Sequence, residues 1–216
     1  MPAIDIATLI IILANVLISI KGFNDFTFFE KYKFNIAGIR RGEQIRMFTS
    51  GFLHADFNHL LFNMLTLYFF SGVVIGSVGV IKFVIIYVAS LIVGSLLSFY
   101  FHKDEYHYSA VGASGAVTGI LYAAILFYPD MGLYLFFIPI PIPAWLFGLV
   151  YLLYSIYGMR NRSGNIGHDA HFGGAIAGYV LTIAFAPYLL ESSLWIVALL
   201  AVPIVLLFVL HKLGKI

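Results

Sequence analysis

The sequence contains no cysteine, which excludes disulfides and thiolate metal sites and says nothing of redox compartment. Charge is scarce as well. Asp, Glu, Lys and Arg make up 10% of the 216 residues, against about a quarter in soluble domains. With a formal net charge of +2, there is no basic surface to argue for nucleic acid as a partner. Acidic residues within apolar stretches, the usual marks of an ion pathway, are nearly missing, and only Asp169 comes close. There is no HExxH. The nearest cluster, "HDAH" at 168–171, lacks a glutamate base at helical spacing, so a zinc protease is not indicated. What is abundant is apolar surface: 62% of residues are hydrophobic and the mean hydropathy is +0.98. Too few polar side chains remain to wrap such an interior, so the chain's solvent is largely lipid.

Seven apolar segments are candidates for transmembrane helices, near 4–20, 57–78, 81–101, 112–128, 133–157, 170–190 and 192–211. They are continuously apolar rather than alternating, which argues against strands and for an all-α polytopic bundle. The expectation is a single membrane domain over 1–216, with no soluble appendage. The first segment lacks a basic start and a small-residue cleavage site, and reads as a retained span. The one long connection, Lys21 to Leu53, mixes Phe and Tyr with Lys and Arg, as suits a segment at the membrane interface. In the fifth segment "IPIPIPAW" places Pro139, Pro141 and Pro143 at alternate positions. Regular helix should begin near Pro143 and stay short, making this the loosest wall of the bundle and the place for lateral access.

Ionisable and polar groups in such spans need a reason. The second span opens with His54, His59 and Asn63, the last two sharing a helix face at i, i+4. The fourth opens with Ser114 between Gly112 and Gly115, and the sixth with His168, Asp169 and His171, followed by Gly174 and Gly178 in a small-xxx-small pattern. By parity of crossings these three openings lie at the same side of the membrane. Each residue has a packing interpretation taken singly: glue between helices, or a cap on a tight crossing. Jointly they outline a nucleophile, a general base and an oxyanion site.

The motifs "GASG" at 112–115, "HLLFN" at 59–63 and "AHFGGAIAG" at 170–178 resemble, in order and placement, those of the rhomboid intramembrane serine proteases. The resemblance covers about residues 1–190, and the segment at 192–211 is similar to the extra C-terminal helix of some members. It implies a Ser114–His171 dyad, with no carboxylate partner and no cofactor or metal. His59, Asn63 and the Ser114 N–H would serve the oxyanion, and His54, Gly112 and Gly115 would support the site, His54 from near its mouth. The implied substrate is a transmembrane helix of another protein, locally unwound. The implied location is a cell (inner) membrane, and the rival reading is an inactive relative that binds membrane proteins. Arg46 matches the family's Trp-Arg loop motif, but Ile45 stands where tryptophan is usual. Thr118 stands where some members carry a tyrosine that stacks on the catalytic histidine, so another group must orient His171. Orientation is pulled two ways. The resemblance puts the catalytic side away from the cytoplasm, yet all but Lys82 of the 12 Lys and Arg fall on that side, which the positive-inside rule would make cytoplasmic.

Overall fold

In the computed structural model, residues 4–134, 140–161 and 166–216 are described. Asp5 opens α1 (Ile6–Asn24) by accepting the Ala7 N–H, and Asp25 opens α2 (Phe26–Tyr32) by accepting that of Phe28. A two-residue strand β1 (Phe34–Asn35) leads into the short α3 (Ile36–Arg40) and α4 (Arg46–Thr49), closed by a 3-10 turn at Ser50–Phe52. Asp56 caps α5 (Phe57–Val78) through the His59 N–H. Gly79, at φ +83°, turns the chain directly into α6 (Val80–His102). After β2 (Ser109–Ala110) comes α7 (Ser114–Phe127), then a small pairing of β3 (Gly132–Leu133) with β4 (Ile142–Pro143). Helices α8 (Ala144–Asn161), α9 (His168–Phe185), α10 (Leu189–Ser192) and α11 (Leu194–Lys212) complete the bundle.

The seven long helices fall on the seven apolar segments. Four of them, α1, α5, α6 and α11, are long and apolar enough to cross a membrane by themselves. The fifth segment does begin its helix where the prolines dictate. Ala144 follows Pro143, and the 18 residues of α8 make about 27 Å. Pro139 lies outside the described residues. Tertiary packing braces this wall from outside. The inward stripe Ala144, Gly148, Leu152 and Ile156 is buried in one cluster with Ile196, Leu200 and Leu207 of α11, and Trp145 meets Trp195 edge-on at 6.3 Å. Helix α8 therefore rests on α11 as well as on α9 and α7 at the centre of the bundle.

That centre is α7. Twelve of its 14 residues are buried, which requires helices on every side. Apolar side chains gain little by leaving lipid for protein, so close association must come from packing and hydrogen bonds. Here it comes from small residues on both helices. An added Cβ at Gly174 would overlap the carbonyl oxygen of Gly115, and one at Gly178 would overlap that of Gly119. On the other flank of α9, a Cβ at Gly94 would lie 2.7 Å from the Ala170 carbonyl oxygen. Helices α6, α7 and α9 thus touch backbone to backbone.

The first connection is a structured unit. Arg46 pairs with Glu43 and donates to the carbonyls of Glu30 (2.7 Å) and Lys33 (3.1 Å), tying α2 to α4. Ile45, in the place of the usual tryptophan, faces outward at 61% exposure, so the arginine holds the loop without it. Strand β1 pairs antiparallel with β2, which fastens this unit to the segment leading to Ser114.

Candidate active site

Side-chain caps open α1, α2, α3 and α5, whereas α7 and α9 begin without one. The first N–H groups of a helix have no intrahelical partner and carry partial positive charge. At α7 those groups belong to Ser114 and its successors, so the helix head offers donors where the candidate nucleophile stands. The 14 residues of α7 span about 21 Å, while its neighbours α5 and α6 have 22 and 23 residues, or about 33–35 Å. Ser114, His59 and His171 are all half-buried, open enough for water and too enclosed for a surface site.

The glycine seam decides how near α9 comes. Gly115 follows Ser114 and Ala170 precedes His171. A Cβ added to Gly115 would sit 3.1 Å from the Ala170 carbonyl oxygen. The heads of α7 and α9, and with them Ser114 and His171, lie side by side. Gly112 sits at φ +129°, where L side chains are rare. An added Cβ there would meet the His59 ring at 2.7 Å, with Ser114 Oγ 3.6 Å away. Glycine at 112 is therefore needed twice, for backbone conformation and to let the His59 imidazole reach the serine.

Hydrogen bonds set the rings. His59 Nδ1 accepts the Ala55 N–H at 3.5 Å, which leaves the proton on Nε2, the nitrogen beside Gly112. His59 thus presents a donor to the site. The Asn63 amide donates to the His59 carbonyl at 2.9 Å, using one of its two hydrogens.

His54 departs from expectation. It is fully buried rather than at the mouth, because the 3-10 turn folds it beneath the loop before α7. Its Nε2 accepts the Ala113 N–H at 3.4 Å, and its Nδ1 donates to Ser19 Oγ at 2.8 Å, which donates in turn to the Phe52 carbonyl. Burial pushes the His54 imidazolium down to about 3, so the ring stays neutral, as an acceptor at Nε2 must be. It pins the head of α7 to α1.

Two residues the motifs leave aside explain His171. Tyr151 Oη lies 2.8 Å from His171 Nδ1, with ring centroids 5.8 Å apart and planes within 22° of parallel. Thr118 Oγ1 is 3.5 Å from the same hydroxyl. The group that orients His171 thus comes from α8, and Thr118, four residues after Ser114, completes a circuit through it. Sequence reasoning identified the vacancy at Thr118 but not its occupant. The available signal was helical spacing, since Tyr151 follows Gly148 by three on the inward side of α8. Asp169 takes no part in that circuit. It receives the Tyr108 hydroxyl at 3.4 Å and lies 3.7 Å from His102. The His168 ring stands 6.4 Å from that of His171, edge-on, with His171 Nδ1 already engaged by Tyr151. Among the described residues, no group of three His, Asp or Glu side chains is placed to hold a metal ion.

Comparison with known families agrees with this arrangement. The family model for the Rhomboid domain matches residues 41–188, well over half of the chain. The chain belongs to the rhomboid family. It is 30% identical over 193 residues to RHOMBOID-like protein 12, mitochondrial, of Arabidopsis thaliana, covering 82% of this chain and 56% of that protein. It is 32% identical over 146 residues to rhomboid protease GluP of Bacillus subtilis, covering 68% and 27%. With rhomboid protease AarA of Providencia stuartii it shares 29% over 162 residues, covering 67% and 57%. The chain spans little more than half, or less, of the length of these rhomboid relatives. Family and apolar helices together make it an integral membrane protein of a family that includes proteases.

Proposed function

We propose that this rhomboid is an intramembrane serine endopeptidase that cleaves peptide bonds in or near transmembrane helices of other membrane proteins. The observation that carries the reading is the close approach of the α7 and α9 backbones at Gly115 and Ala170, the chain neighbours of Ser114 and His171, with His171 Nδ1 engaged by Tyr151. Ser114 Oγ attacks the scissile carbonyl while His171 Nε2 takes its proton. The oxyanion is met by the Ser114 N–H, the Nε2–H of His59 and the Asn63 amide. His171 then protonates the leaving amine, and water, for which the half-buried site has access, hydrolyses the acyl-enzyme. A Ser–His pair with a neutral orienting group suffices in outline, because the carboxylate of a triad aligns the base and does not itself exchange the proton.

The names of relatives support protease chemistry. We take a cell (inner) membrane as its location, and fractionation decides between that and the organellar membrane to which the mitochondrial relatives point. The decisive measurement is labelling of the detergent-solubilised protein by a serine-directed fluorophosphonate, together with cleavage of a reporter transmembrane substrate. Ser114 should be labelled, and Ser114→Ala and His171→Ala should each lower cleavage by on the order of 10⁴-fold or more in folded protein. Absence of labelling in a folded wild-type protein would leave a membrane-protein binding module instead. In the same assay, His59→Ala and Asn63→Ala should reduce kcat by up to about 10²–10³, with KM little changed. Loss of thermal stability alone would make these two residues packing groups.

A further inference from the structure

The geometry points to Tyr151 as the positioning residue of His171, mounted on α8 so that the catalytic pair is aligned only while α8 is seated against the bundle. This inference rests on the protease reading and deepens it. Three observations carry it. The Tyr151 hydroxyl is 2.8 Å from His171 Nδ1, with Thr118 Oγ1 3.5 Å beyond. For His171 to accept a proton at Nε2, Nδ1 must carry the hydrogen and donate it to Tyr151 Oη, whose own hydrogen then faces Thr118 Oγ1. The circuit runs α9, α8, α7, and returns along α7 to Ser114 one helical turn away. The Tyr151 hydroxyl thus has one donor role and one acceptor role filled.

The second observation is how α8 is held. At the seam, α7 and α9 meet through glycine backbones and leave no room to slide. Helix α8 reaches the same centre through side chains: Tyr122 donates to the Gly148 carbonyl, and Tyr151 reaches His171. Elsewhere its inward surface meets the His168 ring of α9 at Gly158 and Tyr154, Ile125 of α7 at Gly148, and α11. The third is location. Ahead of α8, among the described residues, Pro141 and Pro143 stand at a two-residue pairing of Gly132–Leu133 with Ile142–Pro143. A displacement of α8 would remove the Nδ1 acceptor and free the imidazole to rotate.

The test is a double-mutant cycle. Tyr151→Phe keeps the ring and removes the hydroxyl. It should lower kcat on the order of tenfold to a hundredfold, as expected for loss of alignment, with KM and thermal midpoint nearly unchanged. Gly148→Val displaces α8 by steric contact, since a Cβ at Gly148 already approaches Ile125 Cδ1 to 2.9 Å. Gly148→Ala gives a smaller push if valine prevents folding. Because both changes act through one hydrogen bond, the pair together should be little worse than the more damaging single change. Fully multiplicative losses would overturn the coupling, and wild-type kcat in Tyr151→Phe would overturn the positioning role while leaving Ser114-dependent cleavage intact. A readout independent of cleavage is the ring ¹⁵N spectrum of His171. Tyr151→Phe should alter its Nδ1/Nε2 tautomer signature, and an unchanged signature sinks the inference whatever the enzyme does. Loss of fluorophosphonate labelling in the wild type would instead sink the protease reading itself.

Discussion

The two walls that meet at the candidate site are built on different physics. Between α7 and α9 the contact is backbone on backbone, through Gly115, Gly119, Gly174 and Gly178. Between α7, α9 and α8 it is made by tyrosine hydroxyls, Tyr122 to the Gly148 carbonyl and Tyr151 to His171. A glycine seam has no rotamers to adjust, so it fixes the separation of the α7 and α9 backbones that carry Ser114 and His171. A hydroxyl link breaks and re-forms at a cost of about 1 kcal/mol. The lesson is a division of labour: position is set by the rigid wall and orientation by the adjustable one.

The largest expected effect comes from breaking the rigid wall. Gly174→Val puts a side chain into the carbonyl of Gly115, and the struck atom is backbone rather than a flexible tip. Overpacking typically costs 1–3 kcal/mol, and here the cost should reach about 3 kcal/mol or more because nothing yields. The helix heads would separate and fluorophosphonate labelling of Ser114 should disappear. Retained labelling at the wild-type rate would show that the seam does not set the spacing of the pair.

How much of this was legible in the sequence follows from the same contrast. Continuous apolar runs broken by Gly79, Pro143 and the capping residues Asp5 and Asp56 mark helices by composition, so the seven segments and the late start of α8 could be read directly. Ser114, His59 and His171 stand at helix heads, where parity of crossings brings them to one side. Tyr151 was not legible. It is one of 14 tyrosines, mid-helix, and its partner lies on another helix whose rotation only packing fixes. His54 was misjudged for a related reason. A histidine ahead of a span looks interfacial, and only the 3-10 turn at Ser50–Phe52, with Ser19 waiting on α1, takes it under the loop.

His54 offers an intermediate effect, because it extends the rigid wall to the head of α7. Its folded value of about 3 lies below the ordinary histidine value of about 6.5. Between those two values the unfolded chain binds a proton that the folded protein does not. Stability is therefore full above about pH 6.5 and falls as the pH drops, at up to about 1.4 kcal/mol per pH unit from this group. His54→Gln keeps an acceptor for the Ala113 N–H and a donor for Ser19 but does not titrate. Thermal midpoints in detergent from pH 7.5 down to 4.5 should fall more steeply for the wild type than for the variant. Parallel curves would place the acid sensitivity elsewhere and remove the neutral ring from the account of the wall.

The smallest effect belongs to the adjustable wall. Tyr122→Phe removes the donor to the Gly148 carbonyl in a fully buried position. The Gly148 carbonyl keeps its partner within the helix, so the loss is that of one hydrogen bond, about 0.5–1.5 kcal/mol, or a fall in thermal midpoint of roughly 1–6 °C for a chain of this size. The glycine seam is untouched, so Ser114 and His171 should keep their spacing and the fluorophosphonate should still label. What should change is the hold on α8. If α8 is the wall that parts, loosening it favours the open state, so a bulky transmembrane reporter gains access while alignment of His171 through Tyr151 is weakened. The two act oppositely on a membrane-embedded substrate, whereas a short soluble peptide that needs no opening feels only the second. The ratio of cleavage rates, transmembrane reporter over soluble peptide, should therefore rise in Tyr122→Phe. A ratio equal to that of the wild type, with the midpoint lowered, would mean that α8 contributes stability but is not the wall through which substrates pass.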